Sequence, residues 1–303
     1  MQHNPPLRFL VVESETPDER QARRDSAGKS AGESFAATLD QIAPGCRVDL
    51  IAPSDDATPP MTPAALAAFD GVFLSGSPLH VYDSTPETER QLAFMRAVFD
   101  SGTPSFGSCA GLQVAVAAAG GTVRKMPARQ EAGIARRIIP TDAGRDHPLL
   151  ADRPPVWDAP AIHGDEVDRL PLGATLLATS VAVKVQAIEI RHGGGIFWGV
   201  QYHPELAPGE IAAALRRQAD SLIDDGLARD RRDVEDQADL LDRLHDAPGD
   251  HAVRWRLGID AELAEQPRRR TELIAFIERL VVPTRLARRP SATTAVPTPS
   301  RSV

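Results

Sequence analysis

In the first part of the chain, apolar residues gather into short unbroken runs separated by longer stretches with helical spacing. Residues 7–12 (LRFLVV) form one such run, and 48–52 and 71–75 (GVFLS) repeat its character. Short continuous runs of this kind mark strands buried on both faces. Between the first two, residues 32–42 set Phe35, Leu39 and Ile42 on one helical face. Residues 87–99 do the same with Leu92, Met95, Val98 and Phe99, after which Gly102 and Pro104 stop the helix and open a strand at 104–107. Strands alternating with helices imply a parallel sheet joined by right-handed crossovers.

Beyond Gly121 the texture changes. Extended pieces at 134–139, 156–162, 174–178, 185–190 and 195–201 follow one another without long helices between them. That pattern predicts an added mixed or antiparallel portion of sheet. From Pro208 the spacing is helical again: 210–223 and 234–244 are amphipathic, and 271–281 (TELIAFIERLV) predicts a final helix. Residues 291–303 are Ser, Thr and Pro with almost nothing apolar, the composition of a disordered tail. The expected organisation is a main α/β domain over 1–206, a helical extension over 207–286 packed on it, and a tail over 287–303. No internal repeat is visible.

Composition changes this picture little. A chain of 303 residues holds one large α/β domain with additions. The formal charge of -8 argues against a nucleic-acid partner, because phosphate neutralisation needs a basic face. Nothing approaches the roughly 18 uninterrupted apolar residues of a membrane span, and residues 1–12 lack the basic-then-apolar order of a secretory signal. The cysteines, Cys46 and Cys109, are too few for a disulfide framework and suit a reducing compartment. A soluble cytoplasmic protein is expected, with neither a nucleic acid nor a membrane as partner.

Four short segments could carry chemistry. Gly107-Ser108-Cys109-Ala110-Gly111 falls where the strand at 104–107 meets the next helix. A nucleophile on such a tight turn needs small neighbours, because the turn is strained and crowded. The helix N-terminus behind it favours a thiolate. In Trp198-Gly199-Val200-Gln201-Tyr202-His203-Pro204-Glu205, His203 and Glu205 lie two apart at the end of an extended run and point the same way. One can be a base and the other its orienting acceptor, with Pro204 stiffening the pair. Leu74-Ser75-Gly76-Ser77-Pro78 is a strand end whose loop can present a backbone N–H to an oxyanion. Ile162-His163-Gly164-Asp165 ends another apolar strand in polar groups. Each segment alone has a plain structural account as a buried thiol, a surface turn or a strand terminus. Cys46, in Pro44-Gly45-Cys46, keeps that plain account.

The order and spacing of the four are more specific. A GxCxGxQ elbow from Gly107 to Gln113, about 30 residues after the GSP loop, is followed by HGD and then GVQYHPE. This resembles the class I glutamine amidotransferases over roughly residues 7–205. The resemblance implies a flavodoxin-like open mixed sheet with its site at the carboxyl ends of parallel strands. It implies Cys109 as nucleophile, His203 as general base and then acid, and Glu205 as its orienter. It also implies an oxyanion hole from the backbone N–H groups of Ser77 and Ala110, with Gly76, Gln113, His163, Gly164 and Asp165 holding substrate. Many members carry Gly where Ser77 stands, so Ser77 must adopt the φ the loop needs.

The implied reaction is hydrolysis of the glutamine side-chain amide through a γ-glutamyl thioester, with ammonia passing to an acceptor enzyme. The chain shows no synthetase region, so a synthetase subunit would be a separate partner. A stand-alone γ-glutamyl hydrolase or peptidase would use the same triad, with another γ-glutamyl compound as substrate. A binding protein that has lost turnover is disfavoured by the intact Cys109, His203 and Glu205. Nothing in the sequence near Cys109 signals a pocket for a large leaving group, which favours glutamine. No metal or organic cofactor is implied. A glutamine-mimicking electrophile is therefore expected to label Cys109 and leave Cys46 untouched, and Cys109→Ala to lack measurable turnover. Near-normal activity of Cys109→Ala would overturn the assignment.

Overall fold

The computed structural model describes residues 5–288. Eleven strands run through it: β1 (Arg8–Val12), β2 (Arg47–Ile51), β3 (Gly71–Leu74), β4 (Ser105–Ser108), β5 (Thr122–Lys125) and β6 (Glu131–Pro140), then β7 (Trp157–His163), β8 (Asp165–Arg169), β9 (Ala174–Thr179), β10 (Ala187–His192) and β11 (Gly195–Val200). Nine make one sheet in the order β2-β1-β3-β4-β11-β10-β9-β6-β7, and β5 pairs with β8 in a small separate ladder. From β2 through β11 the neighbours are parallel. From β11 outward to β7 they are antiparallel. The change of direction falls in the part of the chain after Gly121, so the fold is the expected open mixed α/β sheet.

Helices cover both faces. Helix Ala31–Ile42 opens with a capping box between Ser30 and Glu33 and buries Phe35 and Leu39 on one face of the sheet. Helix Pro86–Ser101 starts from Thr85 with Pro86 in its first turn, ends at the left-handed Gly102, and buries Leu92, Met95, Val98 and Phe99 on the other face. The helix Ala110–Ala118 that follows β4 is buried along nearly its whole length on that second face.

The helices after Pro208 divide their packing. Helix Pro208–Arg217, helix Arg231–Asp246 and the segment around Val253 and Leu257 form a cluster of their own, into which Ile134 and Leu206 of the sheet-bearing part also pack. The final helical segments, Thr271–Phe276 and the wider-turned Ile277–Val281, enter the main core instead. There Phe276 meets Phe73 edge to face at 5.2 Å and lies near Phe106 and Trp198. Aromatic pairs of this geometry add roughly 0.5–1.5 kcal/mol to the area they bury.

Several elements differ from expectation. The helix expected over 210–223 is two, Pro208–Arg217 and Ala219–Asp224, broken at Gln218. β2 was expected to be buried on both faces; it is an edge strand with Leu50 half exposed. The helix Pro17–Ala27 (PDERQARRDSA) was missed because it has no apolar stripe and buries no residue. A capping box at Thr16 and Glu19 and the left-handed Gly28 bound it. Ion pairs Arg20–Asp55 (2.6 Å), Arg23–Glu15 (3.6 Å) and Arg24–Glu33 (2.8 Å) hold it down. β5 and β8 were missed as too short and too polar to show a period. Of the tail expected from residue 287, the first two residues belong to helix Val282–Arg288, and 289–303 lie outside the described residues.

One buried polar network ties the last helices to the sheet. Arg153, before β7, reaches Glu272 Oε2 at 2.6 Å and Glu262 Oε2 at 3.1 Å. The Tyr202 hydroxyl donates to Glu272 Oε1 at 2.6 Å. Glu272 is fully buried. Removing one member of a buried pair leaves the other charge uncompensated, at a cost of about 3–5 kcal/mol. Glu272→Ala is expected to lose about that much in urea unfolding; a midpoint equal to wild type would show that the network stabilises nothing.

Candidate active site

β4 and β11 are parallel neighbours in register, with Ser108 opposite Val200. They end together, so the turn after β4 and the loop after β11 emerge side by side at the carboxyl edge of the sheet. The Cys109 amide donates to the Val200 carbonyl at 2.9 Å and extends the ladder by one bond. Cys109 itself has φ 51 and ψ -112, a conformation that non-glycine residues avoid and that costs on the order of 1–3 kcal/mol. Its surroundings enforce it. A Cβ on Gly107 would stand 2.7 Å from the Gly111 carbonyl carbon, and one on Gly111 would stand 2.5 Å from the Leu74 oxygen. The small neighbours are a steric requirement of the elbow, as expected.

Successive residues of the turn serve two sides of the site. Ser108 Oγ donates to Glu205 Oε1 at 2.8 Å, while Cys109 faces the cleft. His203 Nδ1 donates to the same Glu205 oxygen at 2.7 Å. Glu205 is buried, and its backbone oxygen accepts from Thr38 Oγ1 at 3.2 Å. His203 is fixed from below by its own amide, which donates to Pro160 O at 2.8 Å. Burial pulls the His203 pKa down, but the Glu205 charge and then the Cys109 sulfur outweigh it and push it up to about 10. The raised pKa favours the protonated imidazole, whose Nδ1–H faces the Glu205 carboxylate.

The other expected residues fall around this centre. A Cβ on Gly76 would lie 2.7 Å from His203 Cε1, so only glycine lets that loop pass the imidazole. Ser77 lines the cleft and does not take a positive φ, so its replacement of glycine introduces no strain there. The Ala110 amide, first in its helix, has no intrahelical partner. Gln113 Nε2 donates to Asp165 O at 3.2 Å and to Gln201 Oε1 at 3.3 Å, tying the elbow helix to the 163–165 loop. His163 has both ring nitrogens occupied, by Asp165 O at 2.9 Å and Glu131 Oε2 at 3.0 Å, so it holds the loop and offers no free nitrogen to a ligand. Asp165 is engaged too, accepting from His80 Nδ1 at 2.6 Å and Tyr82 OH at 3.0 Å. Gly164 lines the cleft, and its carbonyl accepts from Met126 N at 2.8 Å.

Sequence reasoning missed Ser108 as the second support of Glu205, and His80, Tyr82 and Glu131 as supports of the 163–165 loop. Ser108 sat inside the elbow motif and was legible there. The other three become visible only when distant segments meet. Cys46 is half-buried, and burial followed by the Asp40 charge raises its thiol pKa, which fits an inert role. Among the described residues no cluster of three or more His, Cys, Asp or Glu is placed to hold a metal ion.

The cleft has a volume of about 800 Å³. Besides Cys109 it is lined by residues of the 126–130 loop, by Arg23 of helix Pro17–Ala27 and by Arg217 and Ser221 of the C-terminal helices. The family model for class-I glutamine amidotransferases matches residues 27–219, which span the elbow, the 163–165 loop and the His203–Glu205 pair. The chain belongs to the class-I glutamine amidotransferase family. It is an enzyme of that family's cysteine-dependent amidotransferase and hydrolase type. A γ-glutamyl-L-1-hydroxyisopropylamide hydrolase from a Pseudomonas species is 34% identical over 286 residues, covering 92% of this chain and 94% of that protein. A glutamine-hydrolysing GMP synthase of Xanthomonas oryzae is 32% identical over 197 residues, which is 59% of this chain and 36% of the synthase. A glutamine amidotransferase structure from Thermotoga maritima shares the fold with a TM-score of 0.61 at 18% identity, covering 92% of this chain and 99% of the other.

In this candidate site of a class-I glutamine amidotransferase family member, the Glu205 charge is the main cause that raises the His203 pKa. Glu205→Gln keeps a hydrogen-bonding group but removes that charge. The alkaline limb of the kcat/KM profile is expected to move to lower pH by about one unit or more. A limb that stays in place would mean that another group sets it.

Proposed function

We propose that the protein hydrolyses the γ-amide bond of a γ-glutamyl compound whose leaving amine is larger than ammonia. Cys109 Sγ attacks the γ-carbonyl carbon, and the oxyanion forms between the backbone N–H groups of Ser77 and Ala110. The C–N bond breaks as His203 delivers its proton to the departing amine. Water then attacks the γ-glutamyl thioester, His203 takes its proton, and glutamate leaves with Cys109 restored. Glu205, held by Ser108, keeps the imidazole oriented. Gly76, Gln113, Gly164 and Asp165 surround the glutamyl end, with His163 bracing their loop from behind.

The observation that carries this reading is the size of the cleft. Glutamine has roughly ten non-hydrogen atoms, and a cleft of this size takes drug-sized ligands. The space beyond the sulfur is walled by Ala214, Arg217 and Ser221, and Gln130 Nε2 closes toward Ser221 Oγ at 3.0 Å. The helices after Pro208 therefore contribute to the substrate site, which the sequence pattern did not suggest. The similarity to the Pseudomonas hydrolase, extending through those helices, supports the same reading. A cytoplasmic setting suits the free thiol and is part of the proposal; among the described residues no helix is long and apolar enough to cross a membrane.

A second reading is supported by the match to the GMP synthases: glutamine hydrolysis with ammonia passed to a separate synthetase subunit. The two part in the purified protein. The first expects rapid, partner-independent cleavage of γ-glutamyl amides, with kcat/KM above that for glutamine by about tenfold or more. Slow glutaminase activity that rises only when a substrate-loaded synthetase is added would replace it with the second.

A further inference from the structure

Two guanidinium groups line the cleft and lie close enough to repel each other. Arg23 comes from helix Pro17–Ala27 and Arg217 from the end of helix Pro208–Arg217. Arg23 is mostly buried, stands 3.6 Å from Glu15 Oε1, and has a buried Nε with no acceptor among the described residues. Arg217 Nη1 donates to Ser26 Oγ at 2.8 Å, and no carboxylate lies within ion-pair distance of it among the described residues. Burial, and then the neighbouring Arg23 charge, hold the Arg217 pKa below its ordinary value. Glu15, Glu19 and Asp225 line the same cleft, and none of them stands within ion-pair distance of Arg217. Glu15 accepts from the Ala31 amide at 3.1 Å, and burial pushes its pKa up to about 7. Glu19 caps its own helix through the Thr16 amide at 2.8 Å.

A departing amine takes its proton from His203, so it must project toward His203. The elements carrying the two arginines connect to the His203–Glu205 loop. Arg217 ends the helix that begins at Pro208, just after Glu205. The Glu15 partner of Arg23 is bonded to helix Ala31–Ile42, whose Thr38 is bonded to Glu205.

We infer that Arg23 and Arg217 form an anion subsite for a carboxylate on the leaving amine, so that the preferred substrate is a γ-glutamyl amino acid. This rests on the γ-glutamyl amide reading above. The unused buried Arg23 donor and the exposed Arg217 guanidinium are matched by a planar carboxylate, which can accept from both at once. A neutral amine in the same place leaves the Arg23 donor unpaired.

The test compares γ-glutamylglycine with γ-glutamylglycinamide, isosteres that differ in the carboxylate alone, with glutamine as a third donor. For the wild-type full chain the kcat/KM ratio of the glycine to the glycinamide compound is expected to be about 10 to 100. In Arg217→Gln and in Arg23→Gln the ratio should fall to about 1 to 3, and in Arg217→Glu it should drop below unity. Because the ratio is taken within one preparation, partial misfolding of a variant cancels from it. A wild-type ratio near 1, or a ratio that survives both glutamine variants, overturns the subsite and leaves the γ-glutamyl amide reading standing. Cleavage of glutamine alone overturns that reading and the subsite with it.

Discussion

The pairing of β4 with β11 is the constraint on which the site depends. It joins residues nearly a hundred positions apart; the Ser108–Glu205 hydrogen bond spans 97. It does so in parallel register, so that both strands finish at the same edge. One backbone bond, Cys109 N to Val200 O, then fixes how far the sulfur stands from the loop carrying the imidazole. Everything chemical follows from that register. A shift of one residue would exchange Ser108 and Cys109 between the Glu205 side and the cleft side, leaving a hydroxyl where the nucleophile stands.

The elbow is strained at Cys109, and strain of this kind persists only where the surroundings overdetermine it. Here they do so from three directions. Gly107 and Gly111 close on each other, Leu74 of β3 stops Gly111 from receding, and the β11 carbonyl holds the Cys109 amide. The loop of the second motif is pinned as firmly. Tyr202 bonds to Glu272, Thr38 to Glu205 and Pro160 to His203, which brings the last helices, helix Ala31–Ile42 and β7 to bear on four consecutive residues. The C-terminal helices are thus part of the machinery's frame as well as its roof.

Most of the sheet was legible because continuous apolar runs such as 7–12 and 71–75 have few other uses. The candidate triad was legible because its residue types and spacing are dictated by local geometry: an elbow needs small neighbours, and two side chains on one strand face need an interval of two. The rest depended on information that period and spacing do not carry. Helix Pro17–Ala27 is defined by caps and ion pairs, so it leaves no apolar rhythm. His80 and Tyr82 gain their role only from Asp165, more than eighty positions away. The cleft is lined by Ala214, Arg217, Gln218 and Ser221 on both sides of the break between Pro208–Arg217 and Ala219–Asp224, and neither helix announces that break in its composition. Arg23 and Arg217 read as ordinary surface charge until the fold sets them together.

Helix Pro17–Ala27 gives the cleft an unusual kind of wall. It buries no residue, and the ties holding it are charge pairs reaching Asp55, Glu15 and Glu33. Dissolved salt screens the half-exposed Arg24–Glu33 pair most and the more buried Arg20–Asp55 and Arg23–Glu15 pairs less. The Cys109 elbow and the His203–Glu205 loop therefore stand on a packed frame and face a wall fastened by charge. In this molecule the fold rests mainly on apolar packing, while one side of the cleft is held in place by ion pairs.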